Sequence, residues 1–311
     1  MIIPDWARRH KYWWHSNMKN RDQAKVFFDK CVVRPKVKAA WEVIKNPDSD
    51  NVHQEQAWEV IYRLDQGYNG SDNANMLCGR LVQSACDAIL LEGKEPAEVM
   101  ASTYQQYMKY IPRNWDDGID AAKWTQYETE LESVIQNALV GLREVMAGTE
   151  IFGETELYGA LPGNELGHKN LPDYAGVGDL KTKWSSRNSR TKSGFANNNL
   201  PKDLSGRFDI ANVFQVAGGW AINGRKPVWL LYVNKDDYKI LNQDNCDQLK
   251  PEYLEDVVKQ IRLKNRITEN MLKAASTPEE LLSLVYPDWD NLGWNAPEGY
   301  LQEAKAIWSI D

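Results

Sequence analysis

Residues 171–184, LPDYAGVGDLKTKW, read as two strand segments closing on a short glycine-bearing turn. With Asp179, Leu180, Lys181 and Thr182 on a strand, the period of two sends Asp179 and Lys181 to one face and their neighbours to the other. With Ala175, Gly176 and Val177 as the loop, Tyr174 pairs with Gly178, and Asp173 stands opposite Asp179 at about 5 Å. Facing carboxylates repel, so the arrangement costs stability unless a positive charge sits between them. A hard divalent cation does so, since Mg2+ takes one or two carboxylates and completes its shell with water and substrate phosphate. Lys181 can then orient or deprotonate an attacking water while the cation stabilises the leaving oxygen. That chemistry is phosphodiester hydrolysis; the alternative is a surface hairpin with an ordinary Asp and Lys.

Around this stretch the chain changes character near Gly148. Before it, ETELESVIQNALVGLREVM places Leu131, Ile135, Ala138, Leu139, Leu142 and Met146 on one helical face, and MLCGRLVQSACDAILLEG does the same with Leu77, Leu81, Ala85 and Ile89. Breakers near 46–51, 66–73 and 111–118 divide these helical runs. After it, TELYGALPG, the 171–184 stretch and KPVWLLYVNKDDYKIL read as strands, and FDIANVFQVAGGWAI between the last two reads as a helix. The expected fold class is α/β, a mixed sheet flanked by helices, with a largely helical N-terminal elaboration. The tail from Pro251 begins with an amphipathic helix (Leu254, Val257, Val258, Ile261) and ends rich in Trp and turn residues.

The chain carries 37 Lys and Arg against 44 Asp and Glu, a net charge of -7, which disfavours a protein that coats nucleic acid through its total charge. A local basic groove is compatible with it. From Leu180 to Lys202 there are six cations, Lys181, Lys183, Arg187, Arg190, Lys192 and Lys202, and no acid. Such a loop beside a metal site attracts a phosphate backbone, or is simply solvated. Trp184 and Phe195 bracket it, either to stack on unpaired bases or to fasten the loop to the core. Trp13 and Trp14, beside Arg8, Arg9 and Lys11, read as a packed anchor or a nucleic-acid contact. The four cysteines form no CxxC pair and read as free, mostly buried thiols. His10, His15, His53 and His168 show no HxH or HExxH spacing, and no nucleotide-binding glycine loop is present. No apolar run approaches the roughly 18 residues of a membrane span, and charges interrupt the start where a secretory segment needs an apolar run, so a cytoplasmic protein without a membrane partner is expected.

DLKT on a strand, followed by a helix bearing QVA and then the strand VWLLYVN, resembles the PD-(D/E)XK nuclease superfamily, in particular its RecB-like and phage exonuclease branches. The resemblance covers roughly residues 76–92 and 150–240 and implies a restriction-endonuclease-like core. It implies that Gly79 and Gln83 in GRLVQ form the helix motif, that Asp173 and Asp179 bind Mg2+ or Mn2+ with the Leu180 backbone carbonyl, and that Lys181 positions the water. Gln83 and Gln215 then hold the site or the scissile strand. The upstream ligand is Asp173 on the hairpin argument, with Glu156 and Glu165 as alternatives. Two positions depart from the family pattern: Gln83 stands where histidine is frequent, and Gly219 where tyrosine is usual four residues after the helix glutamine. Iron–sulfur relatives gather several cysteines near the C-terminus, whereas only Cys246 lies there, so no such cluster is expected.

The expected organisation is a helical elaboration over 1–75, the nuclease core over 76–250 and a helical, Trp-rich tail over 251–311 packed on the core. The expected activity is that of a metal-dependent DNA exonuclease serving phage replication, recombination or DNA breakdown, in the host cytoplasm if viral. Lys183, Arg187, Arg190 and Lys192 would guide the strand, and a homo-oligomer or a phage recombination protein are candidate partners. A nicking or structure-specific endonuclease, or a catalytically silent nucleic-acid-binding protein on the same fold, are the alternatives.

Overall fold

The computed structural model describes residues 2–8, 22–65, 74–109, 119–148, 152–206, 209–290, 294 and 296–308, so Arg9, Lys11, Trp13 and Trp14 lie outside the described residues. The chain is mixed α/β and divides into two units, one of Met1–Ser71, Pro162–Gly167 and Arg262–Asp311, the other of Asp72–Leu161 and His168–Ile261.

Among the described residues the second unit holds three small sheets, of two, three and two strands. Strand β1 (Leu157–Gly159) pairs antiparallel with β2 (His168–Asn170), and β3 (Gly178–Thr182) runs parallel to β6 (Trp229–Val233), which pairs antiparallel with β7 (Tyr238–Asn242). Between β3 and β6 lie a small hairpin of β4 (Ser186–Arg187) with β5 (Phe195–Ala196) and the Ile210–Ile222 helix. This intervening segment is the crossover that a parallel pair requires. All five residues of β6, WLLYV, are buried, as befits a central strand covered on both faces. The Leu131–Val145 helix reaches this sheet at Gly141, where an added Cβ would lie 2.6 Å from Leu231. The Ala74–Leu90 helix buries Leu77, Leu81, Ala85 and Ile89, the stripe its sequence predicts, in the same core as Leu231 and Val233.

The first unit draws its core from distant parts of the chain. Phe27 and Phe28 of the Gln23–Phe28 helix are fully buried with Leu272, Leu281, Trp294, Tyr300 and Ala304. Asp22 caps that helix through Ala24 N at 2.9 Å, and its other oxygen accepts from Asp288 N at 2.9 Å and from the Trp294 indole. Lys25 Nζ lies 2.7 Å from Asp29 Oδ2 and donates to the Tyr300 hydroxyl at 2.9 Å. The 251–311 tail is therefore not a single appendage of the core: from Arg262 onward it completes the hydrophobic interior of the N-terminal helices. Periodicity identifies its amphipathic helix, Pro251–Ala274, but gives no hint of which apolar surface its far end meets.

Candidate active site

Tyr174 and Gly178 form an antiparallel bridge, the register the sequence predicts, with Tyr174 N and Gly178 N each 3.0 Å from the other's carbonyl. Val177 N also donates to the Tyr174 carbonyl at 3.0 Å, and φ is positive at Ala175 (49°) and Gly176 (67°), as a type I′ turn demands at both central positions. Aromatic packing fixes this hairpin from one side. Tyr174 is fully buried and stacks on Trp229 with centroids 6.4 Å apart, while a Cβ at Gly178 would sit 2.1 Å from the Trp229 ring. Glycine at 178 is the residue that lets the indole close over the bridge.

The turn delivers Asp173 back to β3, where its Oδ2 accepts from Leu180 N at 2.8 Å. Asp179 is 3% exposed, and its Oδ1 accepts from Gln215 Nε2 at 3.1 Å and lies 3.5 Å from Lys181 Nζ. Lys181 Nζ also donates to Gln215 Oε1 at 3.5 Å, which closes a ring of three side chains from β3 and the Ile210–Ile222 helix. Burial first and the Asp179 charge second push the Asp173 carboxyl up to about 7, with Lys181 and the Leu180 amide pulling it down. Protein donors thus occupy one oxygen of each carboxylate, Oδ2 of Asp173 and Oδ1 of Asp179. Among the described residues no amide or ammonium donor reaches the remaining two.

Of these groups Asp173, Leu180 and Lys181 line a pocket of about 420 Å³ together with Gln83, whereas Asp179 and Gln215 do not. The Ala74–Leu90 helix closes one side with Asn75, Gly79 and Gln83, which recur every fourth residue and share one face. Gly79 brings that helix close to the strand, since a Cβ there would lie 3.3 Å from Thr182 Oγ1.

Not every residue singled out in the sequence is here. Glu156 forms an ion pair with Lys169 at 2.6 Å, and Glu165 belongs to the first unit, where it pairs with Lys273 and lies 3.7 Å from Arg8. Neither lines the pocket, whereas Asp173 does. Among the described residues no three His, Cys, Asp or Glu side chains gather as a metal cluster, and the site offers two carboxylates. Trp184 is an anchor and not a stacking platform: it is 2% exposed, donates to Thr182 Oγ1 at 3.0 Å and packs on Tyr127. Arg187, Arg190 and Lys192 belong to the β4–β5 hairpin segment and do not line the pocket. Lys183 does line it, paired with Asp209 Oδ1 at 3.1 Å and 5.2 Å above the Tyr232 ring.

Asn75, Arg80, Asn212 and Tyr232 also line the pocket, and sequence reasoning passed over them. Signals existed for each. Asn75 lies four residues before Gly79, Arg80 follows it, Asn212 precedes Gln215 by one helical turn, and Tyr232 is the one hydroxyl in an otherwise apolar strand, in register with Lys181. Asn212 Nδ2 donates to the Tyr232 hydroxyl at 2.8 Å, which ties helix to strand beside Gln215. Gly219 has a steric reason for departing from tyrosine: a Cβ there would lie 2.2 Å from Asn170 Nδ2, whose amide donates to the Gln215 carbonyl at 2.7 Å.

In comparisons with known proteins the chain matches no family model, no curated protein and no solved structure.

Proposed function

We propose that this chain is a metal-dependent deoxyribonuclease of the PD-(D/E)XK type, with a restriction-endonuclease-like core in its second unit and exonucleolytic action on DNA. The observation that carries the reading is a pocket lined by Asp173, Lys181 and Gln83 from separate stretches of chain, with Asp179 and Gln215 joined to Lys181 in one ring of side chains. The succession of the 74–90 helix, β3, the 210–222 helix and β6 supports it, because that order is the one the family resemblance implies.

The donor set suits Mg2+ or Mn2+. Two carboxylates, that of Asp179 close enough to raise the proton affinity of Asp173, each with an oxygen not engaged by an amide or ammonium donor, meet the small protein share that Mg2+ takes. The Leu180 backbone carbonyl is the third candidate ligand. Such an ion, when bound, supplies charge stabilisation at the leaving oxygen and a more acidic water. The protein's own groups do the rest. Gln215 donates to Asp179 and accepts from Lys181, so it holds both side chains in one geometry. Lys181, an ammonium at the pocket wall, orients a water and balances charge on a non-bridging phosphate oxygen. Lys183 and Arg80 add positive charge where flanking phosphates run.

The test is hydrolysis of end-labelled linear duplex and single-stranded DNA with Mg2+ or Mn2+, comparing wild type with Asp179→Ala and Lys181→Ala. Metal-dependent nucleotide release that both substitutions abolish is the expected result, and a closed circular substrate should survive if a free end is required. A wild type that binds DNA under every metal condition and never cuts it would replace this reading with that of a silent binding module.

A further inference from the structure

In the first unit, the loop Pro162–Gly167 lies against the far part of the Pro251–Ala274 helix. Glu269 Oε1 accepts from Glu165 N at 2.8 Å and from Leu166 N at 2.9 Å, and Asn164 Nδ2 donates to the Arg262 carbonyl at 3.3 Å. Arg262, Arg266 and Glu269 follow one another at four and three residues, so a single helical face meets the loop. At Gly163 the backbone is left-handed, with φ at 80°, and two guanidinium groups occupy the place a side chain would take. A Cβ there would lie 3.2 Å from Arg266 Nη2 and 3.4 Å from Arg262 Nη2, so both arginines converge on one point.

Like charges four residues apart on a helix repel, and here no acid separates them. Among the described residues neither guanidinium forms an ion pair or a hydrogen bond, and Arg262 Nε is buried without a partner. Both acids of the contact are already engaged. Glu165 pairs with Lys273 and lies 3.7 Å from Arg8, while Glu269, 2% exposed, turns its Oε1 to the two loop amides. Arg8, Lys273, Arg262 and Arg266 thus stand against Glu165 and Glu269 alone, and the excess of positive charge falls on the two arginines. A guanidinium N–H enclosed without an acceptor is costly, and an anion that supplies oxygens removes the cost.

We infer that Arg262 and Arg266 bind a single phosphate group over Gly163, free or carried by a nucleotide. Two planar forks meeting at one point need more oxygens than the coplanar pair of a carboxylate, and a tetrahedral phosphate offers them in several directions. Gly163 leaves the room, since a side chain at that position would stand between the guanidinium groups and the loop. The inference does not rest on the nuclease reading, because it concerns other residues in the other unit.

The experiment is calorimetric titration of the full chain with inorganic phosphate in EDTA, against chloride at matched ionic strength so that general screening is constant. Wild type is compared with Arg262→Gln, Arg266→Gln, Arg266→Lys and Lys181→Ala. Each glutamine variant should bind phosphate about tenfold more weakly or worse, through the loss of charge-assisted hydrogen bonds. Arg266→Lys should fall between, as a point charge without the fork, and Lys181→Ala should match wild type. In chloride Arg266→Gln, at an exposed position, should melt no lower than wild type because it removes a repelling charge, whereas phosphate should raise the melting temperature of wild type alone. Thymidine monophosphate and an unphosphorylated oligothymidylate, added as competitors, tell a terminal phosphate from a backbone phosphodiester. A wild type that shows neither heat nor a melting shift with phosphate overturns the inference. So does binding that the glutamine variants keep, or that Lys181→Ala removes in their place. If DNA is cut but phosphate binding ignores both arginines, this inference alone fails; if the arginines govern binding but nothing is cut, the nuclease reading alone fails.

Discussion

Replacing Asp173 with asparagine should make the metal-free protein more stable at pH 8 while abolishing hydrolysis. The Asp173 carboxyl moves from 3.8 up to about 7 because it is buried and faces Asp179. A raised carboxyl means that the folded state binds more protons than the unfolded chain between those two values. Stability therefore falls as pH rises from about 4 to 7 and is flat above it. The rise from 3.8 to about 7, at about 1.4 kcal/mol for each tenfold in proton affinity, sets a ceiling of about 4 kcal/mol on what ionised Asp173 costs at pH 8. Relaxation toward Lys181 reduces this, and a gain of about 2 kcal/mol is the working expectation for Asp173→Asn, which keeps an oxygen for the Leu180 amide. Thermal melting of both proteins in chelator at pH 8 and pH 4 is the assay. The difference should shrink below about 1 kcal/mol at pH 4, where the carboxyl is protonated in the folded wild type. A variant no more stable than wild type at pH 8, or equally stabilised at both values, would refute the reasoning that the two carboxylates repel in an enclosed site.

Mg2+ or Mn2+ should raise the melting temperature of wild type at pH 8 in proportion to the logarithm of its concentration, with about 2.7 kcal/mol gained at a hundred times Kd, and should leave Asp179→Ala unmoved. Gly219→Tyr, which installs the residue usual in PD-(D/E)XK nucleases, should destabilise the protein by about 1–3 kcal/mol by driving a side chain into Asn170, and chemical denaturation reads this directly. Trp184→Ala should cost about 3–5 kcal/mol of stability as a buried aromatic truncation. In anisotropy its salt slope for DNA should equal that of wild type, because the indole is enclosed by Tyr127 and Thr182 and does not face a strand.

The parts of the site governed by local chemistry were legible in the sequence. The period of two put Asp179 and Lys181 on one face, and the small loop residues fixed the Tyr174–Gly178 register; both depend only on neighbours in the chain. The helix glutamine at 215 was found through resemblance, and its hydrogen bonds to Asp179 and Lys181 give it a physical role. What stayed hidden depends on contacts distant in sequence. Nothing local distinguishes Glu156, which pairs with Lys169, from a metal ligand, and nothing near Trp184 says that Tyr127 covers it. Lys183 read as a loop cation because its partner Asp209 lies 26 residues further on. The same limit explains the tail: its aromatic residues signalled burial, but the surface that buries them is supplied by Phe27 and Phe28.

That long-range closure has a consequence for synthesis. The Asp22 carboxylate and its Trp294 partner are 272 residues apart, so at roughly 5–20 residues per second the ribosome needs roughly 14–54 s to deliver the second after the first. During that interval Phe27 and Phe28 lack Trp294 and Tyr300, and every segment of the other unit is translated within it. The nascent chain thus carries an unfinished hydrophobic surface at Phe27 and Phe28 through the whole time in which the other unit can assemble.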